Sequence, residues 1–324
     1  MAKTIRMYER GGPEVLRLED VPVGEPGPGQ VRVRHTAVGV NFVDTYHRTG
    51  LYPAPLPAVL GSEAAGIVEA VGEGVKEVRV GDRVAYAGGA PGAYAEARVM
   101  PAERLVRVPD GISDQQAAAM MLKGMTVRYL THRTYAVKAG DTVLWHAAAG
   151  GVGLIACQWL KALGVTVIGT AGSDEKAALA RAHGAEHVIV YTRDRFPEKV
   201  RELTGGKGVP VVYDSVGKTT FMGSLDCLRP RGVMVLFGTA SGPVPPLDLG
   251  LLSQKGSLYV TRPSLAHYTA TRAELEETAA GLFDAVRSGK VKIEISRTYP
   301  LAQAAQAHRD LEARKTTGSL VLLP

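Results

Sequence analysis

The sequence predicts an α/β protein with a β-rich first part and a doubly wound parallel sheet after it, and three observations predict this. Residues 1 to about 124 are rich in Gly, Pro and Val, in short alternating runs. From about 125, apolar runs of strand length alternate with Ala-rich segments of helical length. A turn of small residues, 147–153, joins one such strand to the helix that follows.

In the first part, runs such as Val31-Arg32-Val33-Arg34 and Gly81-Asp82-Arg83-Val84 read as short strands with tight turns. The stretch Tyr52-Pro53-Ala54-Pro55-Leu56-Pro57 cannot enter a helix interior or a central strand, because each Pro lacks an amide donor. It reads as a surface loop. In the second part, strands are expected at 142–146, 165–170, 187–191, 209–213, 233–237 and 257–261, with helices at 151–163, 174–183, 194–203 and 219–228. Strand, helix, strand in repeated order means parallel strands joined by right-handed crossovers. After about 265 the pattern turns again: a helix over 271–288, a strand at Val291-Lys292-Ile293, a helix over 301–312 and a terminal strand at 319–323. The domain reading is therefore 1–124, 125–265 and 266–324.

With 45% hydrophobic and 22% charged residues, a disordered, collagenous or disulfide-stapled chain is excluded. The net charge of +6 comes from basic residues scattered among acids, without the run or stripe that nucleic acid requires. Cys157 and Cys227 are the only cysteines, so no thiolate zinc site forms within one chain and a reducing cytoplasm is expected. The N-terminal MAKTIRMYER lacks the apolar core of a signal peptide, and no apolar run approaches the roughly 18 residues of a membrane span.

The turn Ala147-Ala148-Ala149-Gly150-Gly151-Val152-Gly153 stands where a dinucleotide fingerprint would, with Ala148 in place of the first glycine. Small residues there let backbone amides at a helix N-terminus approach a pyrophosphate, whose charge the helix dipole favours. The end of the next strand discriminates between cofactors. NAD calls for an acid on its ribose, but Gly172 and Ser173 stand here, followed by Asp174, Glu175 and Lys176. A hydroxyl and a lysine suit the 2′-phosphate of NADP, while Ser173 can equally cap the helix and leave Lys176 solvated.

These features sit in longer stretches: GGPEVL at 11–16, GVNFVDTYHRTGLYP at 39–53, GSEAAGIVEAVG at 61–72, LKGMTV at 122–127, HAAAGGVGLIACQW at 146–159, VVYDSVG at 211–217 and QKGSLYVTRPSL at 254–265. Taken together they resemble the zinc-independent quinone oxidoreductases, the zeta-crystallin-like group of the medium-chain dehydrogenase/reductase superfamily, and most closely its bacterial NADPH-using members. The resemblance implies a GroES-like catalytic domain completed by the C-terminal segment, a Rossmann domain inserted into it, and a cleft holding NADPH. Zinc-using relatives carry a Cys shortly before an Asp, a Gly-His-Glu motif and a four-cysteine lobe. The aligned places here read Asn41 before Asp44, then Gly61-Ser62-Glu63, with no cysteines after 81–84. No adequate zinc ligand set is left, and Glu63 reads as a hydrogen-bonded structural carboxylate. The helical His183 and His308 read as surface residues.

Without a metal, an acceptor oxygen gaining charge needs placed donors. Helical spacing puts Asn41, Asp44 and Thr45 on one face and Tyr46 on the next. The resemblance places this turn beside the nicotinamide, with Asn41, Tyr46 and Tyr52 lining the quinone pocket and Tyr46 as donor; capping and packing would explain the same residues. It also implies that Phe42, Asp44, Tyr46, Lys123, Thr126 and Tyr129 surround the cofactor. On the same basis Gly150, Gly151 and Val152 meet its phosphates, Gly172, Ser173 and Lys176 its 2′-phosphate, and Tyr191 its adenine. Ser215, Phe237, Gly238 and Ser241 fall at or beyond the carboxyl ends of later strands, the ligand-binding edge of open parallel sheets. Arg262, Ser264 and Arg314 match family positions near the cofactor. The expected activity is quinone reduction by NADPH without metal or flavin. Reduction of activated carbon–carbon double bonds, as in relatives acting on enones or haloacrylates, and a non-catalytic NADPH-binding role are the alternatives. A homodimer paired through the Rossmann domains, with Ser257 to Thr261 as its edge strand, completes the expectation.

Overall fold

The computed structural model describes residues 1–324. The chain divides into two compact units. One comprises Met1–Met125, Thr269–Arg287 and Ile293–Pro324, and the other Thr126–Tyr268 and Ser288–Lys292.

The first unit is organised by the strand Gln30–Val40, whose alternation buries Val31 and Val33 and turns Arg34 outward. It pairs antiparallel with Glu63–Val71, Ala97–Pro101 and Ser319–Leu323. The seven-stranded sheet runs Ile295–Pro300, Ser319–Leu323, Gln30–Val40, Glu63–Val71, Arg83–Ala87 and Val106–Arg107, with Ala97–Pro101 added on Gln30–Val40. A small sheet of Arg17–Val21, Ala2–Met7 and Ala58–Val59 packs into the same core, which holds Met7, Val31, Val33, Val68, Tyr94 and Leu320. Most of the helix Asp114–Tyr129 also belongs to this unit. Sequence reading passed over it, although Ser113 and Gln116 form a capping box: Gln116 N donates to Ser113 Oγ (3.2 Å) and Ser113 N to Gln116 Oε1 (3.0 Å).

The second unit carries six parallel strands in the order His187–Val190, Thr166–Ala171, Thr142–Trp145, Val209–Asp214, Leu228–Leu236, Tyr259–Thr261. In chain order that is 3-2-1-4-5-6, the doubly wound dinucleotide-binding arrangement. The expected elements shift in places. The helix expected at 219–228 is the shorter Phe221–Asp226, and the strand after it begins at Leu228. The strand expected at Val291-Lys292-Ile293 does not form. Lys292 N and O instead bond to the Gln158 side chain (2.8 and 3.0 Å), and the strand lies at Ile295–Pro300. No helix is long and apolar enough to cross a membrane.

Candidate functional site

In the first unit, the site is built on the helix Phe42–Thr49, which begins where the strand Gln30–Val40 ends. Its first turn is fastened by Asp44, whose Oδ2 accepts from Asn41 N at 2.9 Å. Asp44 is fully buried and accepts further from Ser62 Oγ (2.7 Å, on Oδ1) and Tyr94 Oη (3.1 Å, on Oδ2). Burial raises its carboxyl to about 6, against the lowering effect of these donors. Sequence reading put Asp44 against the cofactor; its side chain is fully buried, and its observed bonds hold the turn.

Beside it, Glu63 Oε1 accepts from Asn41 Nδ2 (2.8 Å) and Lys123 Nζ (2.9 Å), while Oε2 accepts from Leu122 N (2.6 Å). Gly39 makes room for this carboxylate: a Cβ there would collide with Glu63 and with Ala118 O. Lys123 also donates to Val40 O (3.4 Å) and is almost completely buried, so its ammonium is engaged within the unit. Asn41 likewise donates from its side-chain amide to Glu63, which fixes its orientation. Tyr46 and Tyr52 meet edge to face with centroids 5.2 Å apart. His47, missed by the sequence reading, stands against Tyr52 at 5.7 Å with its buried Nδ1 unpaired.

A second miss lies behind Asp44. His308, expected at the surface, is completely buried on the helix Ala304–Glu312, its Nε2 2.9 Å from Tyr94 Oη and its Nδ1 2.9 Å from Arg48 Nη1. Arg48, itself buried, also pairs with both oxygens of Glu312 (2.7 and 2.9 Å). Burial and the Arg48 charge hold the His308 imidazole down to about 3, so it is neutral. The signal was present: Ala304, Ala307, His308 and Leu311 fall on one helical face. Arg314 lies in this unit, exposed and left-handed (φ 56°) just past that helix.

In the second unit, Ala147 takes a left-handed φ of 55° and leads into the helix Gly151–Ala162, whose N-cap Gly150 contributes no side-chain bond. The amides of Gly151 and Val152 therefore form an uncapped N-terminus. Gly153 lets the helix close on the turn, since a Cβ there would lie 2.6 Å from Ala148 O, and Gly169 does the same against Ala148 Cβ (2.7 Å). The small residues let strand and helix join in a tight turn, and its uncapped first-turn amides fit a dinucleotide pyrophosphate. Beyond the next strand, a Cβ on Gly172 would meet Tyr191 Oη at 2.8 Å, so the half-exposed tyrosine folds over Gly172. Ser173 Oγ caps the helix Asp174–Ala182 by accepting from Lys176 N (3.3 Å). Arg193, which sequence reading passed over, makes two bonds to Asp174 (2.8 and 3.0 Å) and adds a second cation beside this turn.

Ser215, Phe237, Gly238 and Ser241 gather at the carboxyl ends of Val209–Asp214 and Leu228–Leu236. Ser241 Oγ donates to Val216 O (2.8 Å), and Gly238 sits so close to Ser215 O that a Cβ would lie 2.6 Å away. Arg262 donates to Leu236 O (3.1 Å), and Ser264 is exposed beyond the last strand. Thr126 is half-buried, whereas Tyr129 is 2% exposed and stacks on Tyr268 at 4.5 Å.

Two family models cover most of the chain: the alcohol dehydrogenase GroES-like domain matches residues 27–110 and the zinc-binding dehydrogenase domain residues 151–282. A quinone oxidoreductase of Pseudomonas aeruginosa is 58% identical across 100% of both chains. The crystal structure of Escherichia coli quinone oxidoreductase complexed with NADPH superposes with a TM-score of 0.98 at 51% identity, covering 100% of both chains. A 2-haloacrylate reductase from a Burkholderia species is 51% identical over 98% of each. The chain belongs to the quinone oxidoreductase family of the medium-chain dehydrogenase/reductase superfamily.

The zinc in the name of one matching domain finds no donor set here. Both oxygens of Glu63 are taken by Asn41, Lys123 and Leu122, and no group of three His, Cys, Asp or Glu side chains is placed to hold a metal.

Proposed function

We propose that this protein reduces quinones with NADPH, the second unit holding the cofactor and the turn around Tyr46 meeting the acceptor. The observation that carries the reading is the tight small-residue turn 147–153 leading into an uncapped helix N-terminus, in a chain collinear with a quinone oxidoreductase crystallised with NADPH. NADPH, when bound, supplies the hydride. The amides of Gly151 and Val152 face the pyrophosphate, with Gly150 holding the turn through its own bond to Ala147 O (2.9 Å), Gly172, Ser173 and Lys176 at the 2′-phosphate, joined by Arg193, and Tyr191 over the adenine. In the second unit Ser215, Phe237, Gly238, Ser241, Arg262 and Ser264 line the remainder, with Thr126 toward the nicotinamide. Tyr46 and Tyr52 bound the acceptor, and Tyr46 donates to its oxygen. Asn41, fixed by Glu63 and by the Asp44 turn, shapes the pocket floor.

The exposed Tyr259 (62%) and Val260 (38%) on the edge strand Tyr259–Thr261 support a homodimer joined along this edge. Cys157 and Cys227 are free and buried, which supports a cytoplasmic location. The likeness to a 2-haloacrylate reductase favours activated double bonds as second acceptors. The test is a comparison of kcat/KM for quinones, enones and haloacrylates with NADPH and with NADH. Quinone with NADPH should lead, and a higher value for an enone or haloacrylate would transfer the assignment to double-bond reduction.

A further inference from the structure

Asp44 sits at the junction of a hydrogen-bonded chain whose direction can be worked out atom by atom. A guanidinium only donates, so His308 Nδ1 accepts from Arg48. A neutral imidazole then carries its proton on Nε2 and donates to Tyr94 Oη, which leaves the Tyr94 hydroxyl proton to donate to Asp44 Oδ2. This inner end is closed to proton transfer, because any shift along it would require Arg48 to release a proton.

The outer end is different. Asp44 Oδ1 has one partner, the Ser62 hydroxyl at 2.7 Å, and Ser62 is the one side chain bonded to this carboxylate that reaches solvent. The arrangement also tolerates both protonation states. With a proton on Oδ1, Asp44 donates to Ser62, while Oδ2 keeps its bonds from Asn41 N and Tyr94. The turn is not undone; only the Ser62 hydrogen bond reverses.

We propose that Ser62 is a further catalytic residue of the reduction, a hydroxyl backed by Asp44 that delivers the proton needed to complete the product. The proposal rests on the quinone-reduction reading. After hydride arrives, the acceptor carries negative charge on oxygen. The Ser62 O–H bond breaks as an O–H bond forms on that oxygen, and Ser62 Oγ takes the proton held on Asp44 Oδ1. The carboxylate left behind recovers a proton from solvent through the same hydroxyl once product leaves. Two electrons enter with the hydride and one proton from water, so the product is the neutral hydroquinone. The titratable groups acting on Asp44 are Glu63 on the neighbouring strand and Tyr94, with His308 behind Tyr94 and Arg48, paired with Glu312, behind His308. Of these, Glu63 favours proton retention by Asp44, and burial does so more strongly.

The test is kcat from about pH 5 to about pH 9 for wild type, Ser62→Ala and Ser62→Thr, at saturating NADPH with a water-soluble benzoquinone, beside an infrared titration of buried carboxyls in the protein alone. An acid acts in its protonated form, so wild-type kcat should fall as pH rises through about 6. Ser62→Ala should be about tenfold slower at the acidic end and lose that dependence, and Ser62→Thr should restore both. A carboxyl titrating near 6 should appear in the infrared spectrum and move upward in Ser62→Ala, which removes a donor to the carboxylate. A wild-type pH profile in Ser62→Ala, with quinone turnover intact, overturns the proposal alone. Absence of quinone turnover in wild type overturns the functional reading and the proposal together.

Discussion

Each unit buries an aspartate, and the two are satisfied in opposite ways. In the second unit, Asp214 accepts from Val216 N (2.7 Å), Gly217 N (3.0 Å), Thr220 Oγ1 (2.6 Å) and Ser224 Oγ (3.1 Å). Every partner lies within ten residues. His146, also buried, joins through Ser224 (2.9 Å), and burial lowers its basicity against the opposing charge of Asp214. In the first unit, Asp44 and Glu63 draw partners from up to 60 residues away, and the network includes two buried cations, Lys123 and Arg48. The local network ties one strand to one loop and leaves no charge for another element to answer. The distant network makes the turn at Asp44 depend on the helix Ala304–Glu312, more than 250 residues further along the chain. Asp214 ties its own loop, whereas Asp44 ties together segments far apart in the chain.

Removing single partners should separate the two cases. The largest effect is expected at Glu63→Gln, which leaves the Lys123 ammonium buried without a counter-charge: a loss of about 3–5 kcal/mol in denaturant unfolding. A loss below about 1 kcal/mol would mean that Lys123 finds water or another acceptor. Asp214→Asn should cost less, about 1.5–3 kcal/mol, because the amide keeps one carbonyl for the Val216 and Gly217 amides. If Asp214→Asn proves the costlier, the contrast between local and distant networks is wrong.

Acid should sharpen the comparison further. His308 is held down to about 3 in the folded chain against an ordinary histidine value of 6.5, so below about pH 6.5 the unfolded chain binds more protons and stability falls toward pH 3. Asp44, raised to about 6, opposes this: between its ordinary carboxylate value and 6 the folded chain holds the extra proton. His308→Gln should therefore flatten the acid slope of stability by about 1 kcal/mol between pH 6.5 and 5.5, as read from denaturation midpoints. An unchanged slope would show that His308 is solvated or charged.

The same contrast explains what the sequence revealed. The parallel sheet and the turn 147–153 were legible because strand alternation, small residues and the helix start are neighbours in the chain. The first unit's site draws on Asn41, Asp44, Ser62, Tyr94, Lys123 and His308, and no spacing rule connects them. The motif around Asn41 was visible, but the commitment of its amide to Glu63 was not. His308 could have been placed inside by helical phase, although its partners could not have been named. The strand expected at 291–293 failed for a related reason: an alternating tripeptide carries no information about a glutamine side chain 134 residues away that takes its backbone groups.

The central claim is a division of labour, with the second unit holding NADPH and the turn at Tyr46 serving the acceptor. It is tested most directly by measuring Lys176→Ala and Tyr46→Phe side by side, each for cofactor affinity and single-turnover NADPH oxidation by a quinone. Lys176→Ala should weaken NADPH by roughly ten- to a hundredfold, the worth of a charge-assisted contact of about 1.5–3 kcal/mol, and barely change NADH. Tyr46→Phe should slow turnover by about tenfold, a reactive quinone needing little help from one donor, with NADPH affinity and melting temperature unchanged. Loss of the same quantity in both variants, or no effect in either, would contradict the division.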